Sequence, residues 1–113
     1  MVFIVNHLLL KEIFRYLNAT PSSRCINEGE CLVNASHIIS CGKTTETQDT
    51  IKIQGLCLQT SALSSAPHII IGQFNVSQEE VVIDSFTCSC KAGCGGCCKH
   101  IAAVLIYCTR LYS

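Results

Sequence analysis

The sequence of 113 residues contains no tryptophan, one methionine and two prolines, and only 14% of its residues are charged. Eight basic and eight acidic side chains give a formal net charge of zero. The chain outside residues 85–113 is slightly acidic, which argues against strong DNA binding by this chain alone. Because 49% of the residues are hydrophobic, the chain is not a disordered tail. Its length suits one small domain, or part of a larger protein, and excludes long solenoids and large barrels.

Long apolar runs are also missing. A membrane span needs roughly 18 apolar residues, whereas the longest run here, residues 101–108, has eight. Residues 1–10 are apolar, but no basic residue precedes them, and Asn6 and His7 interrupt them. Lys11 then stands where a signal peptide needs small residues for cleavage. We therefore expect neither a membrane protein nor an exported one.

Cysteine, in contrast, is abundant, with ten residues in the chain. A short secreted protein with this content is typically a disulfide scaffold. In an intracellular protein the same content indicates a metal site. The positions of the cysteines decide between these two classes.

The apolar pattern predicts an α+β fold with a small antiparallel sheet. Residues 1–23 are expected to form a short N-terminal helix, over 1–17, and a linker. A β-rich region is predicted for residues 24–113, with a polar turn at 42–49 and strands at 36–41, 50–58, 68–74 and 81–87. From Lys99 onward apolar residues recur at helical spacing, which predicts a C-terminal helix packed on the sheet.

Five of the ten cysteines lie within residues 88–98, and a histidine follows at position 100. Cys88 and Cys90 stand two apart at a predicted strand end, so their side chains share one face. Cys98 and His100 stand where the segment enters the helix, and there an i, i+2 pair can converge. Three glycines between the pairs allow the turns that bring them together. Three sulfurs and one imidazole nitrogen are suitable donors for one structural zinc ion.

Three other interpretations of this segment fit its residues less well. A disulfide knot gives His100 no role. Cys94 and Cys97, with two glycines between them, form a redox-type motif, but such motifs normally begin a helix after a strand. Simple burial of free thiols suits Cys57 and Cys108 better than this dense segment.

Two further questions concern the remaining donors. Cys97 stands beside Cys98, so exchange of Cys97 or Cys94 for Cys98 stays open, although the CxH spacing favours Cys98. A second metal site is conceivable, but its spacings match no common zinc pattern, and free thiols are the preferred interpretation. The donors of that second site would be Cys25, Cys31, His37 and Cys41. We expect His68 to be a surface or packing residue, and His7 has no partner.

The segment resembles the SWIM-type zinc finger, in which CxC, a short variable loop and CxH precede an apolar helix. The resemblance covers about residues 66–110 and carries the ligand role over to Cys88, Cys90, Cys98 and His100. The wider sequence resembles uncharacterised animal proteins with this finger, some of which continue into a lambda-exonuclease-like recombinase nuclease domain. The residues that carry this wider resemblance are 28–30, 35–37, 57–61, 67–68 and 90–93. The sequence ends just after the helix, so we expect no such nuclease domain in this chain.

The resemblance implies a zinc-binding module that contacts DNA or a protein in a DNA-processing or transposon-related context, inside the cell and in the nucleus. We expect no enzyme and no small-molecule substrate, because no paired carboxylates stand near a histidine and the Cys and His residues are assigned to zinc. One alternative is an accessory domain that presents substrate to a nuclease lying outside this chain. A secreted disulfide-rich protein is the less favoured alternative, and it predicts no zinc.

Overall fold

The described part of the chain combines three α-helices with a four-stranded antiparallel sheet. A computed structural model describes residues 10–59, 66–77, 80–90 and 98–111. None of the helices in these ranges has the length and apolar character needed to cross a bilayer. The elements are α1 (Leu10–Leu17), α2 (Arg24–Asn34), β1 (Ile38–Glu46), β2 (Thr50–Cys57), β3 (His68–Ser77), β4 (Glu80–Cys88) and α3 (Lys99–Leu111). The predicted α+β fold is confirmed, and α2 is an addition to it.

The sheet is a meander in which the strands lie in the order β1-β2-β3-β4. In β2, buried Ile51 and Ile53 alternate with exposed Lys52. Ile70 and Phe74 of β3 continue the same buried face. Successive strand residues point to opposite sides, so one face of the sheet meets the helices and the other meets solvent.

A bulge in β4 changes which of its residues face the core. Val81 and Ile83 are buried before the bulge, and Phe86 and Cys88 are buried after it. Asp84 is the extra residue at which the register with β3 shifts. One inserted residue exchanges the two faces of a strand. The bulge therefore turns Cys88 toward the core, whereas uninterrupted alternation would have turned it outward.

Side chains of α1 form hydrogen bonds with the backbone of this bulge, along the edge of β4 that faces away from β3. The backbone N–H of Ile83 donates to Glu12 Oε2 at 2.8 Å, and the carbonyl of Ile83 accepts from Arg15 at 3.3 Å. The N–H of Phe86 donates to the hydroxyl of Tyr16 at 2.7 Å. The hydrogen bond from Arg15 lowers the pKa of Glu12, so this carboxyl remains an acceptor. These contacts satisfy backbone groups that an edge strand otherwise leaves open.

Helix α3 lies between the sheet and α2. Its residues 101–106 are all buried, as expected for a helix covered on every side. A Cβ atom at Gly29 of α2 would lie 2.9 Å from both Ala102 Cβ and the backbone nitrogen of Ala103. On the sheet side, a Cβ atom at Gly55 would lie 2.9 Å from Val104 Cγ2. The two glycines allow α3 to approach both neighbours closely.

Two segments differ from the sequence predictions. Residues 24–34, assigned to the β-rich region, form α2. Residues 42–46, assigned to a turn, continue β1 in its pairing with β2. Helix α1 lies within the predicted N-terminal helix, whose first nine residues are outside the described ranges.

Candidate metal centre

Cys88 and Cys90 are fixed at the end of β4 by its pairing with β3. The intervening Ser89 donates its N–H to the carbonyl of Ile69 at 3.0 Å, and its Oγ accepts from the N–H of Ile69 at 3.0 Å. The N–H of Cys90 donates to Cys88 Sγ at 3.4 Å. The turn therefore carries two sulfurs on a backbone that is hydrogen-bonded to the sheet.

Cys98 and His100 stand at the beginning of α3. The carbonyl of Cys98 accepts the N–H of Ala102 at 3.0 Å, which starts the helical hydrogen-bond pattern. The N–H of Ile101 also donates to the Cys98 sulfur. Free N–H groups at a helix N-terminus stabilise negative charge, so this end of α3 suits a thiolate.

The donor atoms of Cys88, Cys90, Cys98 and His100 form a compact cluster in which all lie within 4.8 Å of one another. Cys98 Sγ lies 3.4 Å from Cys90 Sγ and 3.5 Å from His100 Nδ1. Sulfurs bound to one tetrahedral zinc are about 3.8 Å apart. The donor types and their spacing therefore fit a single zinc ion.

Burial and close mutual contact control the protonation of this cluster. Cys98 is 1% exposed and His100 is 7% exposed. A hydrogen bond from the Cys88 thiol lowers the pKa of Cys98 to about 3, and the same contact raises the pKa of Cys88. Thiols this close cannot all ionise beside one another, so the proton stays on Cys88. A zinc ion would take the place of the proton and bind all three sulfurs as thiolates.

Cys57 and His68, opposite each other on β2 and β3, lie beside the cluster. Burial and the nearby Cys98 charge raise the pKa of Cys57 to about 11, so this thiol stays protonated. It donates to the carbonyl of Leu58 at 3.6 Å. The ring of His68 lies against that of His100, with a centroid distance of 4.3 Å. Cys57 is therefore a buried neighbour of the site, and His68 packs on one of its four donors.

A cavity of about 540 Å³ separates the cluster from α2. Arg24 and Glu28 of α2 line it and are joined by a hydrogen bond of 2.9 Å. Lys99 lines the opposite wall beside the cluster. Cys25 also lines the cavity and is disulfide-bonded, which corrects the prediction of a free thiol at this position.

The second metal site is not formed by the described residues, in which one group of donors alone is close enough to hold a metal. Cys31 is an exposed free thiol, and Cys41 contacts Cys108 instead. His7, Cys94 and Cys97 lie outside the described ranges. Exchange of Cys97 or Cys94 for Cys98 therefore stays an open question.

Replacing His68 by alanine is expected to weaken zinc binding roughly tenfold, an effect typical of residues that orient a metal ligand. The ring of His68 packs against that of His100 at an interplanar angle of 45°, and its loss frees the imidazole to turn away from the sulfurs. Competition with a chromogenic chelator measures the affinity. His68→Phe keeps an aromatic ring at this position and should bind zinc nearly as well as the wild type. Equal affinities for His68→Ala and the wild type would show that the ring contact does not position His100.

Comparison with known proteins identifies this region. The family model of the SWIM zinc finger matches residues 79–108, a segment that contains all four clustered donors. No curated protein and no solved structure gives a significant match to the chain. The matched segment runs from β4 through the CxC and CxH pairs into α3. The chain therefore contains a SWIM zinc finger at residues 79–108, whose three-cysteine, one-histidine cluster fits one zinc ion.

Proposed function

We propose that this chain is a zinc-stabilised binding module and not an enzyme. The observation that carries the proposal is the cluster of three sulfurs and one imidazole nitrogen. Four protein ligands complete the tetrahedral coordination of zinc and leave no position for a substrate or a reactive water. A closed site of this kind stabilises a fold, and the surfaces around it do the binding.

The outer face of the sheet supports a protein as the partner. Ile69 and Ile71 of β3 point to this face and are 44% and 51% exposed. Leu56 of β2 lies directly opposite Ile69 and extends the apolar surface. Neighbouring exposed branched side chains are typical of surfaces that a partner covers. The inner face, in contrast, is already covered by α3.

The charges also favour a protein partner over DNA. Each of the three arginines pairs with a glutamate on the protein itself, as Arg15–Glu12, Arg24–Glu28 and Arg110–Glu30. A guanidinium group that is already paired is a weaker contact for a phosphate. Because the net charge is zero, little attraction to a polyanion remains.

Direct DNA binding is the second candidate. Lys99 stands in the first turn of α3, beside the metal cluster, and supplies a cation there. The resemblance to SWIM fingers is the reason for proposing a DNA-processing or transposon-related setting in the nucleus. In such a setting the module would either contact DNA itself or present substrate to a separate nuclease.

A DNA titration at about 50 mM and about 200 mM salt separates the two candidates, because phosphate contacts are lost as salt rises. The zinc-loaded chain is added to a labelled duplex and fluorescence anisotropy is followed. If the partner is a protein, the dissociation constant stays weaker than about 10⁻⁴ M at the higher salt. Tight binding that weakens steeply with salt would favour DNA instead.

A second experiment tests the protein-binding candidate by placing a charge within the apolar surface. Ile71→Glu should abolish the chemical crosslinks that the wild-type chain forms with its partner in cells. Lys52→Gln changes a charge on the same outer face and should leave those crosslinks in place. Retention of the same crosslinks by Ile71→Glu would show that this face is not the binding surface.

A further inference from the structure

Two cysteines that lie away from the zinc cluster are close to each other. Cys41 Sγ of β1 and Cys108 Sγ of α3 are 3.9 Å apart, although 67 positions separate them in sequence. Both are free thiols. We propose that this pair is an oxidative modification site, at which a peroxide forms a disulfide that joins the edge strand to the helix carrying His100.

The packing of α3 on the sheet creates the pair. Val104 and Cys108 are four residues apart in α3 and so lie on the same face of the helix. Val104 packs over Gly55, where the strand has no side chain. Cys41 is the residue opposite Gly55 in the adjacent strand. The next turn of the helix therefore brings Cys108 to Cys41.

Forming the bond requires the two sulfurs to move from 3.9 Å to about 2.05 Å. Strand β1 can supply this movement because it lies at the edge of the sheet, where β2 is its one partner among the described strands. Its register with β2 is irregular on both sides of Cys41, between Ile38 and Ser40 and between Lys43 and Thr45. The segment that carries Cys41 is therefore less tightly fixed than a central strand.

The exposure of the two thiols assigns their roles. Cys41 is half-buried, whereas Cys108 is 3% exposed. The hydrogen bond with Cys108 lowers the pKa of Cys41, and the same contact together with burial raises that of Cys108. The more accessible and more acidic thiol reacts first with an oxidant, and the buried thiol then resolves the product.

The reaction balances with hydrogen peroxide as the oxidant. The Cys41 thiolate attacks one peroxide oxygen, the O–O bond breaks, and Cys41 becomes a sulfenic acid while the released hydroxide takes up a proton. The Cys108 sulfur then attacks the Cys41 sulfur, the S–O bond breaks, and a second water leaves with the Cys108 proton. Two thiols lose two electrons and two protons in total, and one peroxide becomes two waters.

The product would tie the end of α3 to the sheet. Cys108 lies two turns beyond His100 on the same helix, and Cys41 lies on the outermost strand. The disulfide would therefore restrain the helix that carries part of the zinc site without using any of the four zinc donors. We expect the oxidised chain to keep its zinc and to melt roughly 10 °C higher than the reduced chain.

Peptide mapping after limited oxidation tests the proposal. The zinc-loaded chain is treated with one equivalent of hydrogen peroxide, alkylated and digested with trypsin, while a zinc indicator reports any released metal. Cys108 is the sole cysteine of the tryptic peptide 100–110, whereas the peptide that carries Cys41, residues 25–43, also contains Cys25 and Cys31. Fragmentation of the linked pair in the mass spectrometer therefore assigns the cysteine that is joined to Cys108. The expected product links this peptide to Cys41 before zinc is released. Absence of that link, or its appearance only after zinc loss, overturns the proposal.

Variants separate a specific pair from general thiol oxidation. In Cys108→Ser the resolving thiol is missing, so Cys41 should accumulate as a sulfenic acid that dimedone captures. Cys31→Ser removes an exposed thiol of α2 and should still form the link between Cys41 and Cys108. Capture of dimedone at Cys31 but not at Cys41 in the Cys108→Ser chain would contradict the assigned roles.

Discussion

Replacing Cys98 by serine is expected to abolish zinc retention and to unfold the finger. Its sulfur lies 3.4 Å from Cys90 Sγ and 3.5 Å from His100 Nδ1, so its loss affects both halves of the site. Structural zinc contributes roughly 10–16 kcal/mol in small fingers, whereas a whole domain is typically stable by about 5–15 kcal/mol. The free energy of zinc binding is therefore as large as the net stability of a whole domain. Circular dichroism should therefore show a decrease in helical signal as α3 unfolds, both in this variant and in the wild type with excess chelator.

Two serine variants serve as controls for Cys98→Ser. Cys31→Ser removes an exposed thiol outside the cluster and should retain zinc and fold normally. Cys97→Ser is also expected to retain zinc, because the CxH spacing favours Cys98 as the ligand. Equal zinc loss in Cys97→Ser and Cys98→Ser would contradict the ligand assignment. An unchanged spectrum of the wild type in excess chelator would contradict the folding role of zinc.

Replacing Gly29 by valine is expected to destabilise the chain by about 1–3 kcal/mol, the usual range for overpacking a buried contact. A Cβ atom at this position would lie 2.9 Å from both Ala102 Cβ and the backbone nitrogen of Ala103. Backbone atoms inside α3 cannot move aside without displacing the helix. The better helix propensity of valine offsets only a few tenths of a kcal/mol. Thermal unfolding of the zinc-loaded chain should show a decrease in Tm of roughly 10 °C.

Gly42→Val is the matched control for Gly29→Val. A Cβ atom at Gly42 would have no neighbour within 4 Å in the described part of the chain, and valine suits a strand. This variant should unfold within a few degrees of the wild type. If both variants melt at the same temperature, the close packing of α2 on α3 is not a determinant of stability.

Local pattern was sufficient to predict much of the fold. Strand β2 was predicted because buried Ile51 and Ile53 alternate with polar residues, and this alternation reflects a sheet with one covered face. Helix α3 was predicted because its apolar residues follow a helical period. The four clustered donors are predictable because their residue types and spacing are those of a zinc site.

The remaining features depend on tertiary contacts that no local pattern carries. Residues 42–46 are polar because β1 is an edge strand, so they resemble a turn until β2 pairs with them. Helix α2 contains Gly29, which is unfavourable in an isolated helix and is explained by the close approach of α3. The bulge at Asp84 is held by side chains from α1, about seventy positions away in sequence.

The position of His68 beside the metal cluster also depends on tertiary structure. Ile70 pairs with Cys88, so residue 68 lies level with residue 90 across the hairpin, next to the cluster. If the pairing of β3 with β4 is extrapolated without the bulge, His68 is placed opposite residue 89 instead of residue 90. The histidine therefore could be recognised as a neighbour of the site only once the register was known.

The zinc content of the purified chain is the most direct test of the central claim. Native mass spectrometry should show one zinc per chain, and bound metal should protect Cys88, Cys90 and Cys98 from alkylation until a chelator is added. A folded chain without zinc, whose three cysteines are joined in disulfides, would contradict the assignment and support a disulfide-stabilised protein.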